Sequence, residues 1–337
     1  MAELFYLVIA TSILFYIALD GFDLGFGALH LLAKTDHQRR IHLNAIGPVW
    51  DGNEVWIVVV IGGLFAGFPE CYATVLSGFY SLVMGLIAGL IFRAAAIEFR
   101  SKHESRTWRS IWDAVFSIAS ILVAFLLGLM LGNLIEGVPL NEAHDFVGTF
   151  RDLWRPYSIC IGVTAVALCT MHGAIYLVMK TEGEAHLAIR RWIVPTIVAF
   201  IGCYLVVSVI TMYSLPHMTL FFRNHPLFSV IPFAALLAIF NIPRQIKKGY
   251  DGWAFIFSCL SIALLVSLYA FGTFPTLVSS TIDPENNSLT IYNSASSPKT
   301  LQILLTIVAI GIPLVLAYGC WVYRVFRGKV KLDKFSY

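Results

Sequence analysis

A short polar run at the head of an apolar stretch is the first place in this chain where side chains could do chemistry. Residues 47–67 read Gly-Pro-Val-Trp-Asp-Gly-Asn-Glu-Val-Trp and then apolar or Gly residues, which puts Asp51, Asn53 and Glu54 at the mouth of a helix able to enter lipid. A charged side chain at the centre of a membrane helix costs about 2.5–3.5 kcal/mol on insertion scales, so acids placed there mark a functional site by default. Pro48 and acidic side chains also suit an ordinary helix start, where unpaired N–H groups and the helix dipole favour negative charge. Either reading accounts for Glu54 taken by itself. Asp51 has company further along: Asp20 and Asp23 in Asp-Gly-Phe-Asp-Leu-Gly, then Arg93, Glu98 and Asp113.

These acids need a frame, and composition supplies it. Of 337 residues 58% are apolar and only 13% charged, where soluble domains carry roughly 25% charge. The chain is therefore predicted to be an all-α polytopic membrane protein. Nine hydrophobic blocks can be cut at charged or Pro/Gly-rich punctuation, at 4–33, 49–68, 71–99, 111–135, 156–179, 192–213, 226–242, 253–278 and 301–326. Each approaches the roughly 20 residues that span the hydrocarbon core, and none has the ten-residue alternation of a barrel strand. The whole of 1–337 reads as one integral membrane domain, with the charged cluster in 1–135 and the remaining helices in 156–326. The first block starts within three residues of Met1 with neither a basic region before it nor a cleavage site after it, which predicts a retained helix.

If the helices alternate, nineteen of the twenty-three basic residues fall on one side, including Lys34, Arg39, Arg93, Arg100, Lys180 and the tail with Arg324, Arg327, Lys329, Lys331 and Lys334. The other side holds only Arg151, Arg155, Arg223 and Lys299. That asymmetry predicts the N-terminus outside and the C-terminus in the cytoplasm. The net charge of +3 is then an orientation signal and calls for no nucleic acid. Two outer loops, 136–155 and 279–300, read as surface connections. Gly-x-x-x-Gly at 21/25, 63/67, 85/89 and 128/132 reads as close helix packing.

With this threading, Asp20 and Asp23 share a helix face about 25 Å from residue 4 at 1.5 Å per residue. Asp51 and Glu54, Arg93 and Glu98, and Asp113 come to the same depth from three further helices. Spacing leaves two readings open: a funnel of titratable groups drawing protons from the cytoplasm, or buried ion pairs and snorkelling charges that fix the bundle. Arg93, five residues before Glu98, is available to hold a carboxylate ionised, and acids desolvated without such a partner could exchange protons. Redox groups are poorly served. Of nine histidines only His30 and His172 lie in apolar blocks, and His172, beside Gly173 and Ala174, reads as a packing residue more than as a haem ligand. The six cysteines show no Cys-x-x-Cys spacing and read as small packing residues.

The motifs taken together closely resemble subunit II of bacterial cytochrome bd quinol oxidase. The resemblance runs through Asp-Gly-Phe-Asp-Leu-Gly, Trp-Asp-Gly-Asn-Glu-Val-Trp, Leu-Phe-Ala-Gly-Phe-Pro, Ser-Gly-Phe-Tyr, Phe92-Arg93, Arg100-Ser-Lys and Trp112-Asp113. It continues at Gly132-Asn-Leu, Gly137-Val-Pro, Asn287-Ser-Leu-Thr and the C-terminal Tyr337, so it covers essentially the whole chain, with a length like the shorter, cyanide-insensitive members. It implies two four-helix bundles plus a peripheral helix, and a heterodimer with a subunit I that holds two b-type haems and one d-type haem and meets quinol and dioxygen. No cofactor is expected in this chain itself, although some members hold a structural quinone in subunit II.

The resemblance further implies a location in the bacterial cytoplasmic (inner) membrane among phospholipids, with small accessory subunits as further possible partners. It assigns a proton path to Asp51, Asp23 and Glu98, the last standing where family members can have Asp, with Asp20, Asn53, Glu54, Arg93 and Asp113 as polar support near the subunit interface. Two other functions fit the same acids: a proton- or ion-coupled secondary transporter, and a purely structural scaffold for subunit I. The transporter reading is weakened by the lack of a convincing internal repeat and by charges that gather at one side instead of the membrane centre.

Overall fold

A computed structural model of the protein describes residues 1–331, so Lys334 and Tyr337 of the reading above lie outside the described residues. Among the described residues, besides three short 3-10 turns, the regular structure is twelve α-helices and one two-stranded sheet: α1 (Ala2–His30), α2 (Asp36–Ile46), α3 (Trp50–Gly67), α4 (Pro69–Gly78), α5 (Tyr80–Phe99), α6 (Arg106–Glu136), α7 (Pro156–Lys180), α8 (Gly183–Ser214), α9 (His217–Asn224), α10 (Val230–Lys248), α11 (Asp251–Thr273), β1 (Thr276–Val278), β2 (Leu289–Thr290) and α12 (Pro298–Val325). Eight spans are long and apolar enough to cross a membrane, and the α2–α3 pair, bent by 49°, makes a ninth. The nine hydrophobic blocks of the sequence are recovered as an all-α polytopic fold.

The first helix is the axle of the molecule. It packs against α3, α6, α7 and α11 and also touches α2 and α12. The first group, α1, α3, α5 and α6, meets the second, α7, α8, α10 and α11, chiefly through α1 and α7 and through α6 and α7. Helix α12 lies at the edge on α3 and α1, with none of its most apolar stretch fully buried.

Glycine sets how close these helices come. A Cβ on Gly25 of α1 would lie 1.8 Å from the Cys169 carbonyl oxygen of α7, and one on Gly173 would lie 2.7 Å from the Gly25 carbonyl carbon, so the two helices meet backbone to backbone. All four Gly-x-x-x-Gly pairs face a neighbouring helix, as at Gly128 and Gly132 of α6 against Gly162 and Ser158 of α7.

Three stretches depart from the sequence reading. Residues 34–48 are not a plain loop but contain α2, whose cap is formed by the Thr35 hydroxyl accepting from the Gln38 N–H at 3.2 Å and the Gln38 side chain accepting from the Lys34 N–H at 3.0 Å. Pro48 lies in the turn ahead of α3 rather than in its first turn. Block 71–99 is broken at Phe79 into α4 and α5, and block 253–278 is helical only to Thr273.

The outer loops are also more than surface connections. The Val138 N–H donates to the Ser279 carbonyl at 2.8 Å, Thr281 N–H returns to Val138 at 3.0 Å, and the Asn287 amide donates to Leu140 at 3.0 Å. Val138, Leu140, Val278, Leu289 and Ile291 are at most 1% exposed and give this cap its own small core. Burying those side chains draws the backbone in with them, and its polar groups must then pair. The cap closes the end opposite the buried acids.

The α1–α7 contact yields a test. Gly25→Val is expected to destabilise the protein by about 3 kcal/mol or more, because carbonyl backbone cannot yield as a flexible side chain can. Gly62→Ala, whose Cβ meets nothing within 4 Å, is expected to stay within about 0.5 kcal/mol. Melting curves of the detergent-solubilised protein check both, and equal curves for the two variants would refute the backbone contact.

Candidate functional site

Two charged clusters meet α1 about two turns apart. The inner one is built around Arg93 of α5, whose side chain is 0% exposed. Its Nη2 donates to Asp20 Oδ1 at 2.7 Å and stands 3.9 Å from Asp23 Oδ2, while Nη1 donates to Glu54 Oε1 of α3. Asp20 and Asp23, one turn apart, meet the guanidinium from the same helix face. The Asn53 amide fixes the second acid by donating to Asp23 Oδ2 at 2.7 Å, and its own oxygen accepts from the Tyr323 hydroxyl of α12 at 2.9 Å. Asp20, Asp23 and Arg93 are 0% exposed and Asn53 2%. Glu54 is the member nearest the surface, with 20% of its side chain exposed.

This cluster holds three carboxyls against one guanidinium. Ionising all three would bury uncompensated charge, which is among the costliest arrangements in a protein interior. Asp20 Oδ2, Asp23 Oδ1 and the Tyr16 hydroxyl one turn earlier are buried with no hydrogen-bond partner among the described residues. The site is therefore polar, tight and able to hold a proton on more than one group.

The outer cluster has the opposite balance. Asp113 of α6 accepts from Arg100 Nε at 2.5 Å and from Arg39 Nη1 at 2.8 Å, and His30 Nε2 lies 2.6 Å from its Oδ1. Arg100 and Arg109 then pair with Asp36 at 2.7 and 3.1 Å, tying the start of α2 to α5 and α6. Three guanidiniums thus face two carboxylates. With that excess of cations, Asp113 and Asp36 act as fixed anions that lock helix ends together.

The sequence residues divide accordingly. Asp20, Asp23, Asn53, Glu54 and Arg93 converge in one site, and Asp113 belongs to the second. Asp51 is exposed on the chain surface, about 200° around α3 from the inward-facing Asn53. Glu98 is half-buried, about 140° around α5 from Arg93. The contacts of Asp20, Asn53, Arg93 and Asp113 lie inside the chain.

Sequence reasoning passed over Tyr323, which lies 270 residues from its partner, and did not join His30, Arg39, Arg100 and Asp36 to Asp113. The signal present in the sequence is His30 itself, a histidine inside an apolar block. His172 has both ring nitrogens engaged, with Ser258 Oγ at 2.8 Å and the Ala18 carbonyl at 3.0 Å, and stacks on Phe255. That is the geometry of a packing residue.

Comparison with known proteins agrees along nearly the whole length. The sequence pattern of the family described as cytochrome bd terminal oxidase subunit II matches residues 1–326. The chain is 30% identical to the cytochrome bd-I ubiquinol oxidase subunit 2 of Escherichia coli, over 97% of this chain and 94% of that protein. It is also 30% identical to the cytochrome bd ubiquinol oxidase subunit 2 of Bacillus subtilis, over 97% and 96% respectively. Its fold matches a chain of the bd oxidase structure from Geobacillus thermodenitrificans with a TM-score of 0.80 at 18% identity, covering 96% of this chain and 98% of that one.

Removing the guanidinium should expose how much the inner site depends on it. Arg93→Ala is expected to cost about 3–5 kcal/mol, the usual penalty for leaving buried partners uncompensated, read as a lower melting temperature and yield. Arg93→Lys keeps the charge but loses the two-pronged geometry that reaches Asp20 and Glu54 together, so it should fall between the two. An unchanged melting temperature for Arg93→Ala would show that the acids are not held by it.

Proposed function

The chain belongs to the cytochrome bd terminal oxidase subunit II family, and from that premise we propose that its inner acid cluster helps carry protons toward the site of dioxygen reduction. As a subunit of a quinol oxidase it is an integral protein of the bacterial inner membrane, and its family implies a subunit I beside it. Reducing dioxygen to water consumes protons. Taking them from the cytoplasm while quinol releases its own outside builds a proton motive force. The single observation that carries this reading is the surplus of buried carboxyls around Arg93, because a charge-balanced lock needs no second or third acid.

In this scheme the N-terminus is outside and the C-terminus cytoplasmic, so that the cluster sits in the cytoplasmic half. Asp51, exposed at the start of α3, receives protons at the edge facing subunit I. Glu54, partly exposed, stands three residues on and hands them to the buried pair. Asp20 and Asp23 hold them beside Arg93, whose fixed charge keeps the pocket from becoming too negative. Glu98 supplies a further acid on the same side. Asp113 takes no part in transfer and holds α2 against α5 and α6. Assigning the haems to subunit I is supported by His172, whose two ring nitrogens are both engaged, and by His30, whose Nε2 is held by Asp113. Ubiquinol, the substrate in the names of the Escherichia coli and Bacillus subtilis relatives, is the expected reductant.

The transporter reading loses ground, because both charged clusters lie toward one end of the bundle. The scaffold reading is separated by mutation. Asp51→Asn and Glu54→Gln in the assembled complex are each expected to slow quinol-driven oxygen consumption by about a hundredfold, the lower range for a lost proton-transfer group, while the haem absorbance spectrum stays unchanged. Normal oxygen consumption and proton uptake in both variants would leave this chain a scaffold only.

A further inference from the structure

A cavity of about 410 Å³ opens at the basic end of the bundle between α1, α7, α11 and α12. Its wall is apolar and aromatic: Leu19 and Phe22 from α1, Met179 from α7 and Phe255 from α11, with Phe22 stacked on Tyr176 at 4.0 Å between ring centroids. Its mouth is cationic. Lys180 ends α7, and Arg327 follows α12 in a segment laid back across the end of α7, where Val330 N–H donates to the Lys180 carbonyl at 2.8 Å and Lys329 Nζ to Val178 at 3.2 Å. Lys180 Nζ spends one donor on the Phe326 carbonyl at 2.6 Å and keeps two. Arg327 is exposed. Deeper in, the Tyr176 hydroxyl is buried and has no hydrogen-bond partner among the described residues, a state few buried hydroxyls are left in.

Each feature restricts the occupant. Apolar walls favour hydrocarbon, which excludes a small hydrophilic anion as the natural ligand. Two cations at helix ends favour an anion, which excludes a neutral hydrocarbon. Basic pockets between membrane helices at the end carrying the positive loops recognise anionic lipid head groups. We propose that this cavity binds an anionic phospholipid. Its phosphate lies between Lys180 and Arg327, the Tyr176 hydroxyl donates to an ester carbonyl of its glycerol backbone, and the upper part of one acyl chain runs along Leu19, Phe22, Met179 and Phe255. The same cavity is lined by Tyr323, which donates to Asn53, so the lipid stands two hydrogen bonds from Asp23. Lipid binding is read without turnover and does not depend on the proton reading.

The test uses the purified complex with its partner subunit, stripped of lipid in detergent and titrated with phosphatidylglycerol or phosphatidylcholine of the same acyl chains while bound lipid is counted by native mass spectrometry. Phosphatidylglycerol is expected to bind in preference. Arg327→Gln and Lys180→Gln should each weaken it about fivefold, and the double variant about thirtyfold, with phosphatidylcholine little affected. Met179→Trp, which fills the wall, should block both lipids. Because Arg327 is exposed, its variant reports even if the Lys180 variant fails to assemble. Equal binding of the two lipids, indifference to both charge removals, competition by inorganic phosphate at the lipid's own concentration, or a neutral ring-bearing amphiphile co-purifying in the cavity would each overturn the proposal.

Discussion

One buried guanidinium organises this protein's interior. Arg93 reaches from α5 to two acids on α1 and one on α3, and desolvating that many ionisable groups is affordable only if their geometry is held closely. The helices around it are arranged to do so. Gly25 and Gly173 bring α1 onto α7, while a Cβ at Gly27 would lie 1.9 Å from Ser120 Oγ of α6, so α1 is gripped from two sides. It cannot rotate without a clash. That fixes the face carrying Asp20 and Asp23 toward Arg93 and leaves α3 to bring Asn53 and Glu54 across the gap. The peripheral helix closes the arrangement through Tyr323, which orients the Asn53 amide so that its nitrogen, not its oxygen, faces Asp23.

How much of this was legible depended on the range of the interaction. Hydrophobic block length gave the nine spans because the bilayer imposes it on each helix separately. The i, i+3 spacing of Asp20 and Asp23 and the Gly-x-x-x-Gly pairs are likewise properties of single helices, and both landed where the sequence placed them. Arg93 stands five residues from Glu98 in sequence but about 140° from it around the helix, and its observed partners come from other spans. Helix α2 carries a cap signature in Thr35-Asp36-His37-Gln38, but its polar, charged composition gives no hydrophobic block to mark it. The pairing of 136–155 with 279–300 needs contacts across more than a hundred residues and leaves little local trace.

The two clusters on α1 show why similar residues need not share a role. From Asp23 to His30 is seven residues, about 10 Å along the helix, yet the charge balance reverses over that distance. Around Asp113 and Asp36, three guanidiniums face two carboxylates, every carboxylate has a permanent counter-charge, and moving a proton there would break ion pairs without relieving any charge. Around Arg93, three carboxyls share one guanidinium, so a proton passing from one to another leaves the total unchanged and the pairing with Arg93 intact. A group that exchanges protons needs such near-degenerate states, whereas a group that holds helices together needs them removed. The outer cluster is the stiffer anchor, pinning α2 and the ends of α5 and α6, and the rigidity it lends the shared helix keeps the acids of the inner cluster within reach of one another.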